Sequence, residues 1–338
     1  MTTLHPPIPK VASVIVAIAA TLASLITVWS SPAGAAENSG WAVFPTTVEG
    51  AEPRNQFIID LRPGLVYEDS ITITNKTADI KTFTVYASDA YNTDVGSFSL
   101  RLNDEAKEGI GSWITLPVSE VSLDAGESVD IPFTIDVPAD ATPGDHAGGI
   151  VAVDTEPSES ISEDDQLQVD VLQAVGVRIY GRVAGPLVPA LEITELQLET
   201  ETDIGTLFGF PYDATLTYTI TNTGNVRIVP TTAGKFSNFL GTGATIGARE
   251  LPELLPGGSA TLTHQQASIT PLGKLTAELT VTAPGIQPLT RSVTTWVTPW
   301  LLFAVIALAV TGAIVWRRRR RRRLDNGQTD DDLVLVEG

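Results

Sequence analysis

The chain has 338 residues, no cysteine, and 40 acidic against 21 basic residues, for a net charge of −19. The lack of thiols excludes disulfide scaffolds, Cys-based metal sites, Cys nucleophiles and thiol redox chemistry. An acid excess of this size argues against a nucleic-acid-binding face, and stability has to come from burial of a core.

In chain order, Lys10 precedes an apolar stretch, Val11–Trp29, followed by Ser30-Ser-Pro-Ala-Gly-Ala-Ala36. Ala33 and Ala35 fit an A-x-A cleavage site and a cut after Ala36 fits equally, so residues 1–36 read as a signal peptide. The run is long for such a segment, and an uncleaved anchor is the competing reading.

The next segment, to residue 296, is about 260 residues long, enough for two ordinary domains. Helical periodicity is almost absent from it. Short alternating runs of Val, Ile, Thr, Phe and Tyr recur between Gly, Pro, Asn and Asp, the pattern of an all-β sandwich or barrel. In residues 37–186 the runs are Ile71–Thr74, Thr82–Tyr86, Val129–Val137, Gly148–Val153, Leu167–Val171 and Val175–Tyr180. Pro132 places its strand at an edge or a bulge. Gly185-Pro186 and Pro189 make a stiff junction, and a second unit, residues 190–294, carries Ala214–Thr221, Ala260–Thr263, Leu275–Val281 and Thr290–Thr294.

The units repeat loosely. Thr72-Ile-Thr-Asn75 is matched by Thr219-Ile-Thr-Asn222, and Gly126-Glu-Ser128 by Gly257-Gly-Ser259. Asn75 and Asn222 suit turn entry through bonds to local backbone. The expected fold is two tandem immunoglobulin-like β-sandwich domains.

At the C-terminus Val297–Trp316 is an apolar run bracketed by Trp296, Trp300 and Trp316 and followed by seven arginines, Arg317–Arg323. Twenty apolar residues span a hydrocarbon core of about 30 Å, and cations beside the span hold that end cytoplasmic. The chain therefore reads as single-pass, with residues 37–294 outside and a basic, then acidic, tail over 317–338. Without Lys10, the arginine run and the five tail acids, the external part keeps 13 basic and 35 acidic residues, about −22. No L-P-x-T-G precedes Trp296, so retention by the span is the simpler reading.

Catalysis finds little support. The histidines are His5, His146 and His264, too few per domain for a His-rich zinc site, and no metalloprotease, nucleophile-elbow or P-loop motif occurs. No catalytic, cofactor or metal residue is expected. The acids Glu156, Glu159, Glu163, Asp164 and Asp165 lack the spacing of a calcium loop and read as solvated. Asp145-His146 follows Pro143-Gly144 and reads as a turn, with His146 a minor ligand candidate. Sugar faces pack on exposed rings beside polar groups, so Trp41, Tyr86, Tyr91 and Asn92 are the glycan candidates of the first unit. Phe208–Tyr212 and Phe236–Phe239 put rings in loops of the second.

Trp41-Ala-Val-Phe-Pro45, Phe57–Asp60, Pro63-Gly64, Ile71–Asn75, Trp113–Pro117, Val121–Gly126, Val137-Pro138 and Gly148-Gly-Ile150 form an ordered series. The series resembles the N-terminal peptidoglycan-binding domain of WxL-interacting proteins of Gram-positive cell surfaces, over residues 41–155. The resemblance implies a non-enzymatic module that binds peptidoglycan, with WxL-domain or other surface proteins as partners and no cofactor. Two other classes fit the residues: an assembly chaperone acting by β-strand addition, and an ectodomain that is a passive spacer or a sensor.

Overall fold

A computed structural model describes residues 40–331 apart from 49, 157, 161–168, 240, 242 and 272. The chain divides into two units, residues 1–41 and 42–338; the architecture below is that of the second. The signal-peptide reading of residues 1–36 lies outside the described residues, as do three of the five acids of the calcium candidate.

The chain is all-β with one long C-terminal helix. The first sandwich sets a sheet in the order β1 (Trp41–Pro45), β3 (Val66–Asn75), β8 (Ser128–Asp136), β6 (Ile114–Thr115) against a larger one. The larger sheet runs β2 (Phe57–Leu61), β12 (Ala174–Val183), β9 (Gly144–Asp154), β4 (Lys81–Asn92), β5 (Phe98–Leu100), with β7 (Glu120–Leu123) also on β4. Phe57 of β2 meets Phe133 of β8 edge to face at 5.2 Å, closing the core between the sheets. β10 (Ser158–Ser160) and β11 (Val169–Val171) pair as a separate two-stranded ribbon in the β9–β12 connection.

The second sandwich sets β13 (Leu191–Glu201), β14 (Tyr212–Asn222), β17 (Ser259–Ile269) against β16 (Thr245–Glu250), β15 (Thr231–Asn238), β18 (Gly273–Ala283), β19 (Ile286–Val297). β14 shows why this sequence makes this strand. Tyr212, Ala214, Leu216, Tyr218, Ile220 and Asn222 all point inward, while the threonines between them face out, Thr219 and Thr261 bonding across strands at 2.9 Å. Side chains alternate faces along a strand, so one apolar set builds the core.

The repeated asparagines do equivalent work. Asn75 and Asn222 are both fully buried. The Asn75 amide donates to the carbonyls of Asp79, Leu123 and Asp124, and its oxygen accepts from Thr77 N. The Asn222 amide donates to Val226 O and Leu254 O, and its oxygen accepts from Gly224 N. Their backbone N–H groups reach Glu127 O and Gly258 O, one residue beyond the two Gly-containing turns. The loose sequence repeat is thus one tertiary knot made twice. Pro132, paired with Ser70, lies beyond the short partner β6, so that side of the strand needs no donor there.

Asp145 and His146 lie in strand β9, not in a turn. Gly148 and Gly149 are required by close packing: a Cβ on Gly148 would lie 2.5 Å from Ser88 O, and one on Gly149 2.5 Å from Val177 O. Short helices α1 (Ile110–Trp113) and α2 (Ile204–Leu207) lie between β5 and β6 and between β13 and β14, and α3 (Trp300–Asp331) closes the described chain. Within α3, Trp300–Arg321 has a mean hydropathy of 2.0 and none of its residues is fully buried in the protein. Its length and composition suffice to cross a membrane. Val297 is the last residue of β19, so the helix starts three residues later than the apolar run.

Candidate functional site

The feature most open to a partner is one end of β12. β12 pairs with β9 along its whole length. On its other side β2 runs parallel to it only over Ile179–Val183, opposite Phe57–Leu61. Among the described residues, Ala174–Arg178 therefore have a strand on one side only. The chain that would continue β2 alongside them, Pro53–Gln56, is drawn away by Arg54. The Arg54 guanidinium donates to both carboxylate oxygens of Asp69 on β3, at 2.7 and 2.9 Å, and stacks over Phe57 at 5.0 Å. Burial works against the charge on Asp69, but Arg54 and the Ser70 N–H outweigh it and hold the carboxyl below its usual range. Asp69 stays ionised at neutral pH and the pin stays closed.

The vacant edge is apolar and uncharged from Ala174 to Val177. Val177 points into the core, while Ala174, Gly176 and Arg178 are exposed. Arg178 turns along the sheet face, its guanidinium 4.4 Å from the Phe98 ring centre. Other edge strands carry features that discourage pairing. β13 holds Glu192, Glu195, Glu199 and Glu201, β16 ends in Arg249-Glu250, and β19 contains Pro288 and Arg291. The start of β17 is already covered, Thr261 N donating to Asp94 O.

A second concave region lies at the junction of the two sandwiches. Asp145, with a side chain 7 % exposed, accepts from Arg182 Nε at 2.6 Å, Arg182 Nη2 at 2.9 Å and Arg227 N at 2.8 Å. Burial opposes its ionisation, but these donors prevail and keep the carboxyl below the ordinary range. The Arg227 guanidinium sits 4.1 Å from the Tyr180 ring centre and 3.5 Å from Glu253, to which Tyr180 Oη also donates. Burial, then Glu253, pushes the Tyr180 hydroxyl pKa up. Asn225 Nδ2 donates to Pro143 O and Pro186 O, and Asp145 N donates to Asn225 O. Beside this clamp is a cleft of about 630 Å³ lined by residues that include Asp89, Glu105, Thr142, His146, Asn225 and Pro256. The Asp89 carboxylate is occupied by three backbone donors, Glu108 N, Gly109 N and Gly111 N.

The residues singled out from sequence do not converge. Trp41 is 1 % and Tyr86 8 % exposed, so neither ring offers a face to solvent. Tyr91, at 36 %, has the Arg101 guanidinium 5.3 Å from its ring centre. Asn92 ties the sandwiches together, donating to Glu253 O and Gly96 O and accepting from Leu255 N. His146 lines the cleft, with Nε2 2.8 Å from Thr142 O and its ring 4.7 Å from Trp113. It faces away from neighbouring Asp145, since successive side chains in a strand point to opposite faces. Among the described residues no group of three His, Asp or Glu side chains is placed to hold a metal ion. Arg54, Arg182, Arg227 and Glu253 had no local signal in the sequence: Asp145 and Arg227 are 82 residues apart.

No family model matches the chain, and no curated protein matches it. Solved structures similar to it include the class 5 fimbriae chaperone CfaA, at 14 % identity and TM-score 0.31, covering 77 % of this chain and 99 % of that one. Another is the CsuC–CsuE chaperone–tip subunit pre-assembly complex of Acinetobacter baumannii Csu pili, at 9 % and 0.35, covering 75 % and 97 %. A third is the E. coli chaperone DraB, at 10 % and 0.29, covering 71 % and 94 %. Likenesses this faint carry no argument about activity. They do not include a WxL-related protein, and the resemblance to WxL-interacting proteins is corrected accordingly. Peptidoglycan binding by residues 37–186, the WxL-type partners and the cell-wall role fall with it.

Proposed function

We propose that this chain is a membrane-anchored, non-catalytic ectodomain that holds extended segments of exported proteins by strand addition at the open edge of β12. The observation that supports it is the register of β2. β2 stops opposite Ile179, and the Arg54–Asp69 pin diverts the preceding chain, leaving Ala174–Val177 without charge or proline. An extended segment placed there would satisfy backbone groups along the edge, and main-chain bonding of this kind supplies affinity with loose sequence demands. The two sandwiches read as immunoglobulin-like domains in this account. α3 reads as the anchor, because a helix that leaves nearly all of its apolar side chains exposed is unstable in water. The arginines after Trp316 support a cytoplasmic tail in this reading.

Hydrogen exchange on the full-length chain in detergent tests the reading, with an alternating Val–Thr decapeptide as probe. Amides within residues 174–178 are expected to slow by about tenfold when the peptide is present. Val175→Lys, which puts a charge on the edge, is expected to abolish that protection. Protection confined to other strands, or none at all, refutes strand addition at β12.

A further inference from the structure

One end of the second sandwich is chemically unlike the rest of the molecule. Tyr212 pairs with Ile269, Asn238 with Leu275, and Gly273 with Val297. These registers bring residues 202–211, 239, 241, 243–244 and 270–271 to the end from which the chain leaves into α3. Two contacts bear this out. A Cβ on Gly209 would lie 3.1 Å from Leu302 of α3, and the β15–β16 and β17–β18 turns share a small cavity lined by Phe236, Ala244, Ile269 and Leu275.

This end exposes large apolar side chains: Ile204 (73 %), Phe208 (42 %), Phe210 (65 %), Phe239 (74 %), Trp296 (71 %) and Trp300 (70 %). It also lacks charge. In a chain of net charge −19, the segments 204–212, 236–248, 265–273 and 292–300 contain no Asp, Glu, Lys or Arg. Asp203, Asp213 and Lys274 mark the border of the uncharged zone. Asp203 is turned back into the first turn of α2, accepting from Thr206 N at 2.8 Å.

We propose that these loops are seated in the headgroup–acyl boundary of the bilayer that α3 enters, so that the second sandwich rests on the membrane instead of swinging from it. The proposal rests on the reading of α3 as a membrane span. Its occupant is dictated by the chain's course: β19 ends at Val297 and α3 begins at Trp300, which leaves no linker long enough to lift the loops out of the interface. Aromatic rings partition favourably to that depth, and the absence of carboxylates removes the main cost of approaching an anionic leaflet. A seat of this kind fixes the height and orientation of the first sandwich above the membrane.

The chain has no native cysteine, so single cysteines can be introduced and spin-labelled in full-length protein reconstituted into phosphatidylcholine–phosphatidylglycerol vesicles. The sites are Phe210→Cys and Phe239→Cys on the seat, Ala309→Cys within α3, and Gln287→Cys at the opposite end of the sandwich. Expected are high oxygen and low nickel-chelate accessibility at 210, 239 and 309, and aqueous values at 287. Lipid values at 309 with aqueous values at 210 and 239 overturn the seat while leaving the span intact. Aqueous values at 309 overturn the span, and the seat with it.

Discussion

Replacing Asp145 by Asn tests whether the junction between the sandwiches is held by charge. The carboxylate accepts three bonds, two from Arg182 and one from Arg227 N. Bonds to a charged group contribute about 1.5–3 kcal/mol each. Asn keeps one acceptor oxygen and turns its NH₂ toward the other donors, so one set is lost. Arg182 is 45 % exposed, and water replaces much of what it loses. The Arg227 N–H is not so compensated. A destabilisation of about 3 kcal/mol follows. The assay is urea unfolding of the full-length chain in detergent, followed by tryptophan fluorescence.

The pH dependence supplies a second readout. The folded carboxyl of Asp145 is held below its ordinary value, so the unfolded state binds the proton more readily. The stabilisation is complete above about pH 4 and is lost as pH falls through the folded value. The difference between wild type and Asp145→Asn should therefore be constant at neutral pH and shrink under acid. A loss under about 1 kcal/mol at pH 7, or a loss that persists unchanged in acid, refutes the argument.

Asn75→Ala and Asn222→Ala should each cost about 3 kcal/mol, because each leaves two or more carbonyls without their donor. Calorimetry on both variants checks it, and unequal losses would deny the equivalence of the two knots. Gly149→Val should lower the thermal midpoint with a cost of about 2–3 kcal/mol, since its Cβ would meet Val177 O and Leu100. A midpoint within error of wild type would show that the sheet is not so tightly covered there.

The resemblance to a wall-binding domain rested on short motifs that any similar sandwich requires. Pro63-Gly64 and Ala125-Gly126 sit at turns in which the glycines take φ of +76° and +75°. Asn75 closes the knot, and Gly148-Gly149 permit close strand approach. Residues doing these jobs recur wherever the same turns and contacts are built, so their order reports the fold and says nothing of a ligand.

Period-2 alternation and a long apolar run are local properties, and the sequence by itself determined the most regular strands and most of the terminal helix from them, while Tyr212 and Phe236, read as loop residues, lie in β14 and β15. Ala214–Thr221 lies inside β14, Leu275–Val281 inside β18, and Trp300–Trp316 of the terminal apolar run inside α3. The repeated Thr-x-Thr-Asn was legible as a turn signal, because Asn75 and Asn222 bond backbone two and four residues on, but their bonds to carbonyls 32 to 49 residues away were not. The open edge of β12 was not. It exists because Arg54 bonds Asp69 across the sandwich and because β2 pairs with a strand more than a hundred residues later. The clamp at Asp145 likewise joins residues 37 and 82 positions away. Which face a charged side chain takes, and which strand edge is left without a neighbour, depends on the packing of distant segments, and only the tertiary structure decides it.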